Sequence, residues 1–482
     1  MNKQAVKKKI LAGFAWEGIT KILVQSVTWV TTIIVARILA PEDYGIVAIS
    51  GIFIGLLAVI TDMGFMSALI NKDEITQEQQ DSAFWLTLLL SLALFALVYA
   101  LAPALSSFYE SDILVDIIRM SAFILPLTSL KVIPVTIAMR DMNFKYRALT
   151  DMMGQFVTSI ASIIMAMNGF GVWTLIYSVL IGQAVVVVAY LPLMKKMPAL
   201  TIKLKEMKEI IVFGTHLMLS QMLEFFTMRA DIFIIGLFLP EKQVGYYSMG
   251  YQLSTIPLDK IGALFNRVAF PSVSRIKGDM EATKSLFINM HKYLLVIAFP
   301  VLVGLMVIAD DLIIVLLTDK WAALVPIIQA LCMLNLLRVS GMIMPYVMAG
   351  VGRSDYVLKY HVLSSILLPI AFLVGVQFGL HGVLVSWFVA YPFLYFFILR
   401  LLANIIGLQL KQFLFSVMPT VVSTLAMFAS VALVKICLLG DDHVFNLIIT
   451  IPLGAVSYVL AFYLLFKGEM AEIKSGIAEL RN

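Results

Sequence analysis

Apolar residues run along the whole chain in stretches long enough to cross a membrane, and short polar segments separate them. A membrane-spanning helix needs about 20 mostly apolar residues. The hydropathy pattern predicts fourteen such helices, approximately at 10–38, 44–70, 82–106, 113–139, 148–168, 171–194, 210–238, 244–268, 286–309, 322–349, 356–376, 380–402, 411–437 and 444–466. The sequence therefore predicts an all-α polytopic membrane protein.

The charged residues are few and unevenly placed. Hydrophobic residues make up 61% of the 482 positions and charged residues only 13%, well below the quarter or so that is usual in soluble domains. Of the 35 Lys and Arg residues, 24 flank one set of connections and the two termini, whereas four flank the opposite set. Short loops rich in Lys and Arg stay in the cytoplasm, which predicts that both termini are cytoplasmic. The net charge of +5 reports this topology and gives no reason to expect nucleic-acid binding.

An internal repeat divides the predicted helices into two groups of six. The segment "ARILAPEDYGIVA" after the first span resembles "GLFLPEKQVGYYS" after the seventh, and "KVIPVTIAMRDMNF" resembles "MIMPYVMAGVGRSD". An even number of spans in each repeat inserts both copies the same way up, related by a pseudo-twofold axis along the membrane normal. We predict an N-terminal lobe over 1–200, a C-terminal lobe over 201–406, and two additional helices with a cytoplasmic tail over 407–482.

Polar residues form stripes on three of the predicted helices. Side chains three and four positions apart share a helix face, and the stripes comprise Glu17, Lys21 and Gln25 in the first span, Ser220, Glu224, Thr227 and Asp231 in the seventh, and Gln252 and Asp259 in the eighth. Intramembrane charges are costly and usually mark a function. The stripes favour the walls of a polar cavity; the alternatives are structural pairs, such as Glu17 with Lys21, and hydroxyl groups that bond within their own helix.

Two arginines lie deep in predicted spans and do not fit a simple helical pair. Arg229 is about 140° around the helix from Glu224, and Arg338 has no acidic residue before it at helical spacing. We expect each to face a ligand, water or an acid from another helix. The carboxylates of Glu17, Glu224, Asp231 and Asp259 are candidates for coupling to a proton or sodium gradient; no other cofactor is expected.

Enzymatic chemistry is not indicated. The predicted non-cytoplasmic loops are short, and the sequence has no H-E-x-x-H, G-x-S-x-G or Walker A motif. The two cysteines, Cys332 and Cys437, have no metal-binding spacing. We therefore expect no catalytic residues and no metal site, although a membrane polysaccharide polymerase or ligase is the rival from the enzyme class.

Five segments resemble those of a known transporter family: "ARILAPEDYG", "DMGFMSALINKDEI", "RVAFPSVSRI", "GLMVIADDLIIVLLTDKW" and "RADIFIIG…VGYYSMGY". They are similar to the Wzx-type oligosaccharide-lipid flippases, within the multidrug/oligosaccharidyl-lipid/polysaccharide exporter superfamily. The branch that they resemble most is that of the colanic acid and teichuronic acid exporters. The resemblance covers essentially the whole chain.

The resemblance implies two six-helix bundles around a central cavity, with two extra helices, and alternating access of the two lobes in the bacterial cytoplasmic (inner) membrane. It implies a polyprenyl-diphosphate-linked oligosaccharide as cargo, membrane lipids around the chain, and polysaccharide polymerase machinery as a neighbour. Lys and Arg suit a diphosphate. The positions therefore expected to bind cargo are Lys21, Arg229 and Arg338, with Gln25 and Gln252. A drug/cation antiporter of the same superfamily is the alternative, since carboxylates dominate the cavities of those proteins.

Overall fold

The computed structural model of the protein describes residues 3–62, 64–72, 74–194, 196–276, 278–438 and 440–467. Every regular element in these ranges is a helix, which confirms the all-α prediction. Twelve described segments are long and apolar enough to cross a membrane. One of them, Ser354–Ile406, contains two long consecutive helices, Ser354–Gly375 and Gly379–Ile406. The protein is thus a multi-pass membrane protein, and the predicted number of fourteen spans is an approximate count.

The chain forms two compact units, Met1–Gly245 and Tyr246–Asn482. The helices that lie in the first unit are α1 (Lys3–Ile38), α2 (Pro41–Asp62), α3 (Phe65–Asn71), α4 (Gln77–Phe108), α5 (Ile113–Ser121), α6 (Ile124–Arg140), α7 (Phe144–Met167), α8 (Trp173–Tyr190) and α9 (Leu204–Phe238). The first turn of α10 (Glu241–Arg275) also belongs to it. The predicted lobes at 1–200, 201–406 and 407–482 follow the sequence repeat, and they stay a prediction.

Three predicted spans are each divided into two helices. The span predicted at 113–139 is α5 and α6, which meet at Ala122 and Phe123. The span predicted at 44–70 is α2 and α3. Gly64 precedes α3 in the left-handed region, with φ +61°, and a Cβ built there would lie 2.8 Å from the carbonyl oxygen of Gly214. Only glycine allows this close approach between the start of α3 and the backbone of α9.

Helix α9 packs against the rest of the first unit mainly near its two ends. A Cβ built at Gly55 of α2 would lie 2.6 Å from the Phe225 ring, and one built at Gly236 would lie 3.1 Å from Ile49. The apolar cluster formed by α3, α4 and α6 also includes Met207 and Ile210 near the start of α9. The helix therefore belongs to the first unit, although the sequence repeat assigns it to the second lobe.

The connection between α8 and α9 is fixed to the start of α4. The indole Nε1 of Trp85 donates a hydrogen bond to the Ala199 carbonyl at 2.9 Å. Ser82 bonds both the carbonyl of Thr201 at 3.4 Å and the backbone N–H of Lys203 at 3.0 Å. Lys203 also pairs with Glu78, and this hydrogen bond raises the pKa of the lysine ammonium group. A segment that reads as a simple loop is thus an ordered strap across α4.

The second unit contains the rest of α10 and seven further helices. They are α11 (Met280–Leu317), α12 (Val325–Gly341), α13 (Met344–Gly350), α14 (Ser354–Gly375), α15 (Gly379–Ile406), α16 (Leu410–Leu438) and α17 (His443–Leu465). The span predicted at 322–349 is divided into α12 and α13, where Pro345 lies in the first turn of α13, a position that tolerates proline. The core of this unit joins α11, α12, α13 and α15 around fully buried side chains such as Leu294, Val347 and Leu402.

Candidate functional site

Arg338 lies in the last turn of α12, half-buried within the second unit. Its Nη2 donates a hydrogen bond to the Tyr251 hydroxyl at 3.1 Å, and its Nη1 donates to the Asn335 side-chain oxygen at 3.2 Å. The guanidinium carbon also lies 5.4 Å from the centre of the Tyr251 ring and 5.5 Å from that of Trp387. These neighbours hold the cation through hydrogen bonds and ring faces.

The groups around Arg338 are themselves held in place. The Asn335 amide nitrogen donates to the Ser254 carbonyl at 2.9 Å, which ties α12 to α10. The Trp387 indole donates to the Tyr247 hydroxyl at 2.9 Å, which ties α15 to α10. Asn335, Trp387 and Tyr247 are all buried. These contacts therefore hold the guanidinium in one orientation.

A second buried network begins two residues beyond Arg338. Ser340 lies 2.9 Å from His291 Nε2 and 2.7 Å from the Tyr395 hydroxyl, measured at its own Oγ. The Phe413 ring lies against His291, tilted by 42° with the ring centres 4.7 Å apart. These contacts join α11, α12, α15 and α16, and they account for His291 as a packed core residue.

The charged residues of α9 have different surroundings. Arg229 and Glu224 are exposed, meaning that protein does not cover them. Among the described residues, neither has a hydrogen bond or an ion pair. Asp231 is buried, and its Oδ1 accepts a hydrogen bond from the N–H of Ile232 at 2.7 Å. Of the two carboxylates predicted on one polar stripe, that of Glu224 is therefore exposed and that of Asp231 is buried.

The remaining candidates lie on α1 and α10. Lys21 is exposed and Gln25 half-buried on α1, and the side chain of Glu17 lies outside the described part of the structure. Gln252 and Asp259 are both exposed on α10. The hydroxyl groups of Ser220, Thr227 and Thr255 donate to carbonyls of their own helices, which is the structural alternative considered for such residues.

An apolar groove of about 520 Å³ lies in the second unit among α11, α16 and α17. The groove is open to the surroundings of the protein, since lining residues such as Val301, Ile451 and Val459 are exposed. Two lining residues have hydroxyl groups, and both are satisfied: Thr450 donates to Asn446 and Tyr458 donates to the Val296 carbonyl. The groove therefore presents hydrocarbon, with the lining Pro257, Pro300, Val301, Gly304, Leu305, Val307, Ile308, Met427, Phe428, Val431, Thr450, Ile451, Gly454, Ala455, Tyr458 and Val459.

A buried carboxylate ties the helices of this groove together at one end. Asp311 of α11 lies 2.7 Å from Lys435 Nζ of α16 and 2.7 Å from His443 Nδ1 of α17. The Asn446 amide donates to the same carboxylate at 3.0 Å. Lys435 also donates to the carbonyl of Val307, at 3.2 Å, and Val307 lines the groove. The two C-terminal helices are thus joined to α11 by a polar clasp, which we define as Asp311, Lys435, His443 and Asn446.

The apolar groove and the Arg338 site differ in polarity, and neither is a metal site. No group of three or more His, Cys, Asp or Glu residues with metal-binding geometry occurs within the described residues. Arg338 places a cation among polar and aromatic side chains, whereas the groove presents hydrocarbon.

The sequence model of a family described as polysaccharide biosynthesis proteins matches residues 34–326, more than half of the chain. The chain belongs to this polysaccharide biosynthesis protein family. The membership confirms the resemblance drawn from the five segments.

Two relatives of the chain are named for the biosynthesis of teichuronic acid and of lipopolysaccharide. The chain is 26% identical over 428 residues to the teichuronic acid biosynthesis protein TuaB of Bacillus subtilis, covering 88% of both chains. It is 22% identical over 387 residues to the lipopolysaccharide biosynthesis protein WzxC of Escherichia coli, covering 77% of this chain and 76% of that one.

Two solved structures have folds similar to that of this chain. The lipid II flippase MurJ in an inward closed conformation matches with a TM-score of 0.79 at 16% identity, over 94% of this chain and 99% of that one. A multidrug resistance MATE family transporter in an inward-facing conformation matches with a TM-score of 0.62 at 16% identity, over 78% and 94%. At 16% identity this likeness concerns the fold alone.

Sequence reasoning singled out Arg338 as a candidate but did not single out the residues that contact it. Asn335 lies three positions before Arg338, a spacing that places both on one helix face, so a local signal existed. Tyr251 and Trp387 come from distant helices and gave none. The clasp was missed because Asp311, Lys435 and His443 each lie near the end of an apolar run, where charges usually belong to loops.

Proposed function

We propose that this protein moves an undecaprenyl-diphosphate-linked oligosaccharide from the inner to the outer leaflet of the bacterial cytoplasmic membrane. Sugars and a diphosphate cannot cross about 30 Å of hydrocarbon unaided. Family membership, the surface-polymer roles in the relatives' names and the flippase fold all support a lipid-linked cargo. The lysine-rich connections support cytoplasmic termini.

The observation that carries the proposal is the oriented guanidinium of Arg338 in an apolar helix. A diphosphate accepts two parallel hydrogen bonds from such a group, and charge-assisted bonds of this kind are about twice as strong as neutral ones. In the proposed mechanism, Lys21 and Arg229 supply further positive charge. The amides of Gln25 and Gln252 supply donors and acceptors for sugar hydroxyl groups.

The apolar groove supports a place for the polyprenyl chain. Its walls are hydrocarbon and its mouth is open, so a lipid tail could lie in it while the diphosphate and sugars are held elsewhere in the protein. Burial of apolar surface stabilises such a complex by about 25 cal/mol per Å². The tail would then contribute affinity without determining which glycan is carried.

The coupling of transport to an ion gradient and the neighbouring proteins are further parts of the proposal. Glu224 is exposed and could bind a proton or a sodium ion, and Glu17, Asp231 and Asp259 are the other carboxylates considered. A polysaccharide polymerase on the outer face would consume the flipped repeat unit. Alternating access of the two predicted lobes would move the cargo.

A cation antiporter is the second candidate function. The exposed Glu224 and the fold likeness to a multidrug transporter favour it. Vesicles containing the protein would then expel lipophilic cations in a manner that Glu224→Gln abolishes. The flippase proposal predicts no such efflux.

Cells provide the test of the proposed function. In a strain that lacks the protein, the lipid-linked repeat units should remain covalently intact but protected from an impermeant sugar oxidant applied to spheroplasts. Expression of the protein should restore their oxidation, whereas Arg338→Gln should not. Repeat units that are equally oxidised with and without the protein would contradict the proposal.

A further inference from the structure

The starts of α2 and α10 touch through a pair of glycines. A Cβ built at Gly45 would lie 1.9 Å from the carbonyl oxygen of Glu241, and one built at Gly245 would lie 1.9 Å from that of Pro41. Real Cβ contacts are essentially never closer than 3.0 Å. Backbone therefore lies directly on backbone, and all four residues belong to the first compact unit.

The contact is the same from either side. Gly45 is the fifth residue of α2 and meets the first residue of α10, while Gly245 is the fifth residue of α10 and meets the first residue of α2. The two helix starts are the repeated segments of the sequence, "PEDYG" and "EKQVG". The two copies of the repeat therefore contribute equivalent residues to this crossing, related by a local twofold axis.

One ion pair bridges the crossing. Lys242 Nζ lies 3.3 Å from Glu42 Oε1, and both side chains are about half exposed. Pairs as exposed as this contribute little to stability. Pro41, Val244 and the two glycines are buried, and the atoms nearest to each built Cβ belong to the backbone of the other helix. Such a smooth contact can open and close again without repacking of interlocked side chains.

We propose that this crossing, defined as Pro41–Gly45 with Glu241–Gly245, is a latch that closes the transport path on the outer side and parts when cargo leaves. The inference rests on the proposed function, and its placement on the outer side rests on the scarcity of Lys and Arg in these connections. Glycine at both positions permits the closed state, and the ion pair favours it.

The first test introduces a methyl group that prevents the latch from closing. Gly45→Ala places a methyl group against a backbone carbonyl, which cannot move aside as a side-chain tip could. The reporter is Val244→Cys, buried at the crossing, in a Cys332→Ser/Cys437→Ser background. Gly45→Ala should raise the labelling rate of this cysteine by an impermeant maleimide about tenfold or more, because it shifts the population towards the open state. Gly51→Ala is the control, since nothing lies within 4 Å of its Cβ position.

The second test locks the latch with both glycines intact, so it does not depend on the folding of a wedged variant. Glu42→Cys and Lys242→Cys are joined by a short bis-methanethiosulfonate reagent, which forms a disulfide with each cysteine as methanesulfinate leaves and which dithiothreitol cleaves. Export of lipid-linked oligosaccharide should stop on crosslinking and return on cleavage. Normal export by the crosslinked protein would overturn the latch.

The two tests separate the latch from the proposed function. The labelling measurement needs no cargo, so a faster rate with Gly45→Ala supports the latch even if no oligosaccharide is moved. A folded Gly45→Ala protein with the labelling rate of Gly51→Ala would overturn the latch and leave the flippase proposal intact.

Discussion

Replacing Asn335 by aspartate should disable the Arg338 site without unfolding the protein. The change is isosteric and places a negative charge where the neutral oxygen now accepts from Nη1 at 3.2 Å. At an effective dielectric constant of about 20, two unit charges at this distance attract by about 5 kcal/mol. The lost amide hydrogen bond to Ser254 costs about 1–3 kcal/mol, and burial of the new carboxylate costs several kcal/mol more, so the new pair offsets most of the loss and the protein should be less stable but folded.

The same charge should repel an anionic ligand. A phosphate bound to the far side of the guanidinium would lie about 7 Å from the new carboxylate, where repulsion is about 2 kcal/mol per charge at the same dielectric constant. We therefore expect the dissociation constant for geranyl diphosphate, a short polyprenyl diphosphate, to rise about thirtyfold or more. Isothermal titration of the purified proteins measures it, and a thermal melt verifies folding.

Gln329→Glu is the matched control for this variant. Gln329 lies on the same helix, and its amide also donates to a backbone carbonyl, that of Met306, at 3.4 Å. It is nine residues before Arg338, about 13 Å along the helix axis. A folded Asn335→Asp protein that binds as tightly as the wild type, or a Gln329→Glu protein equally weakened, would refute the assignment of Arg338 as the anion's partner.

Three further predictions concern other parts of the chain. Arg229→Ala should abolish export with an unchanged melting temperature, because no described residue pairs with Arg229; a lowered melting temperature would instead indicate a structural role. Lys435→Met should destabilise the protein by about 3–5 kcal/mol, since it leaves the buried Asp311 carboxylate without its ammonium partner; denaturant unfolding that matches the wild type would contradict this. Alkaline phosphatase fused after Lys242 should be active, and the same enzyme fused after Lys205 should be inactive; the reverse would invert the predicted topology.

The hydropathy pattern predicts which segments are helices, but it does not predict where a predicted helix is interrupted. The chain around Ala122 and Phe123 is as apolar as its surroundings, so α5 and α6 read as one span. The break between α2 and α3 depends on the close approach of Gly64 to Gly214, two residues 150 positions apart. Contacts of this kind are decided by packing and leave no local mark in the sequence.

Helical periodicity likewise places residues on a face but does not say what covers that face. Glu224 and Asp231 fall on one stripe, yet α9 packs tightly only along part of that stripe, so one carboxylate is open and the other buried. Arg338 was found because a cation inside an apolar run is conspicuous. Tyr251 and Trp387, which orient it, are ordinary residues until the fold brings their helices together.

The most direct test of the account measures flipping by the purified protein. It is reconstituted into vesicles with undecaprenyl-diphosphate-linked oligosaccharide in both leaflets, and an impermeant sugar-cleaving enzyme is added outside. The account predicts that the inner-leaflet pool also becomes cleavable in the presence of the protein, and that Arg338→Gln removes this effect. Cleavage that stays limited to the outer-leaflet pool, with folded wild-type protein in every vesicle and with proton and sodium gradients imposed, would contradict it.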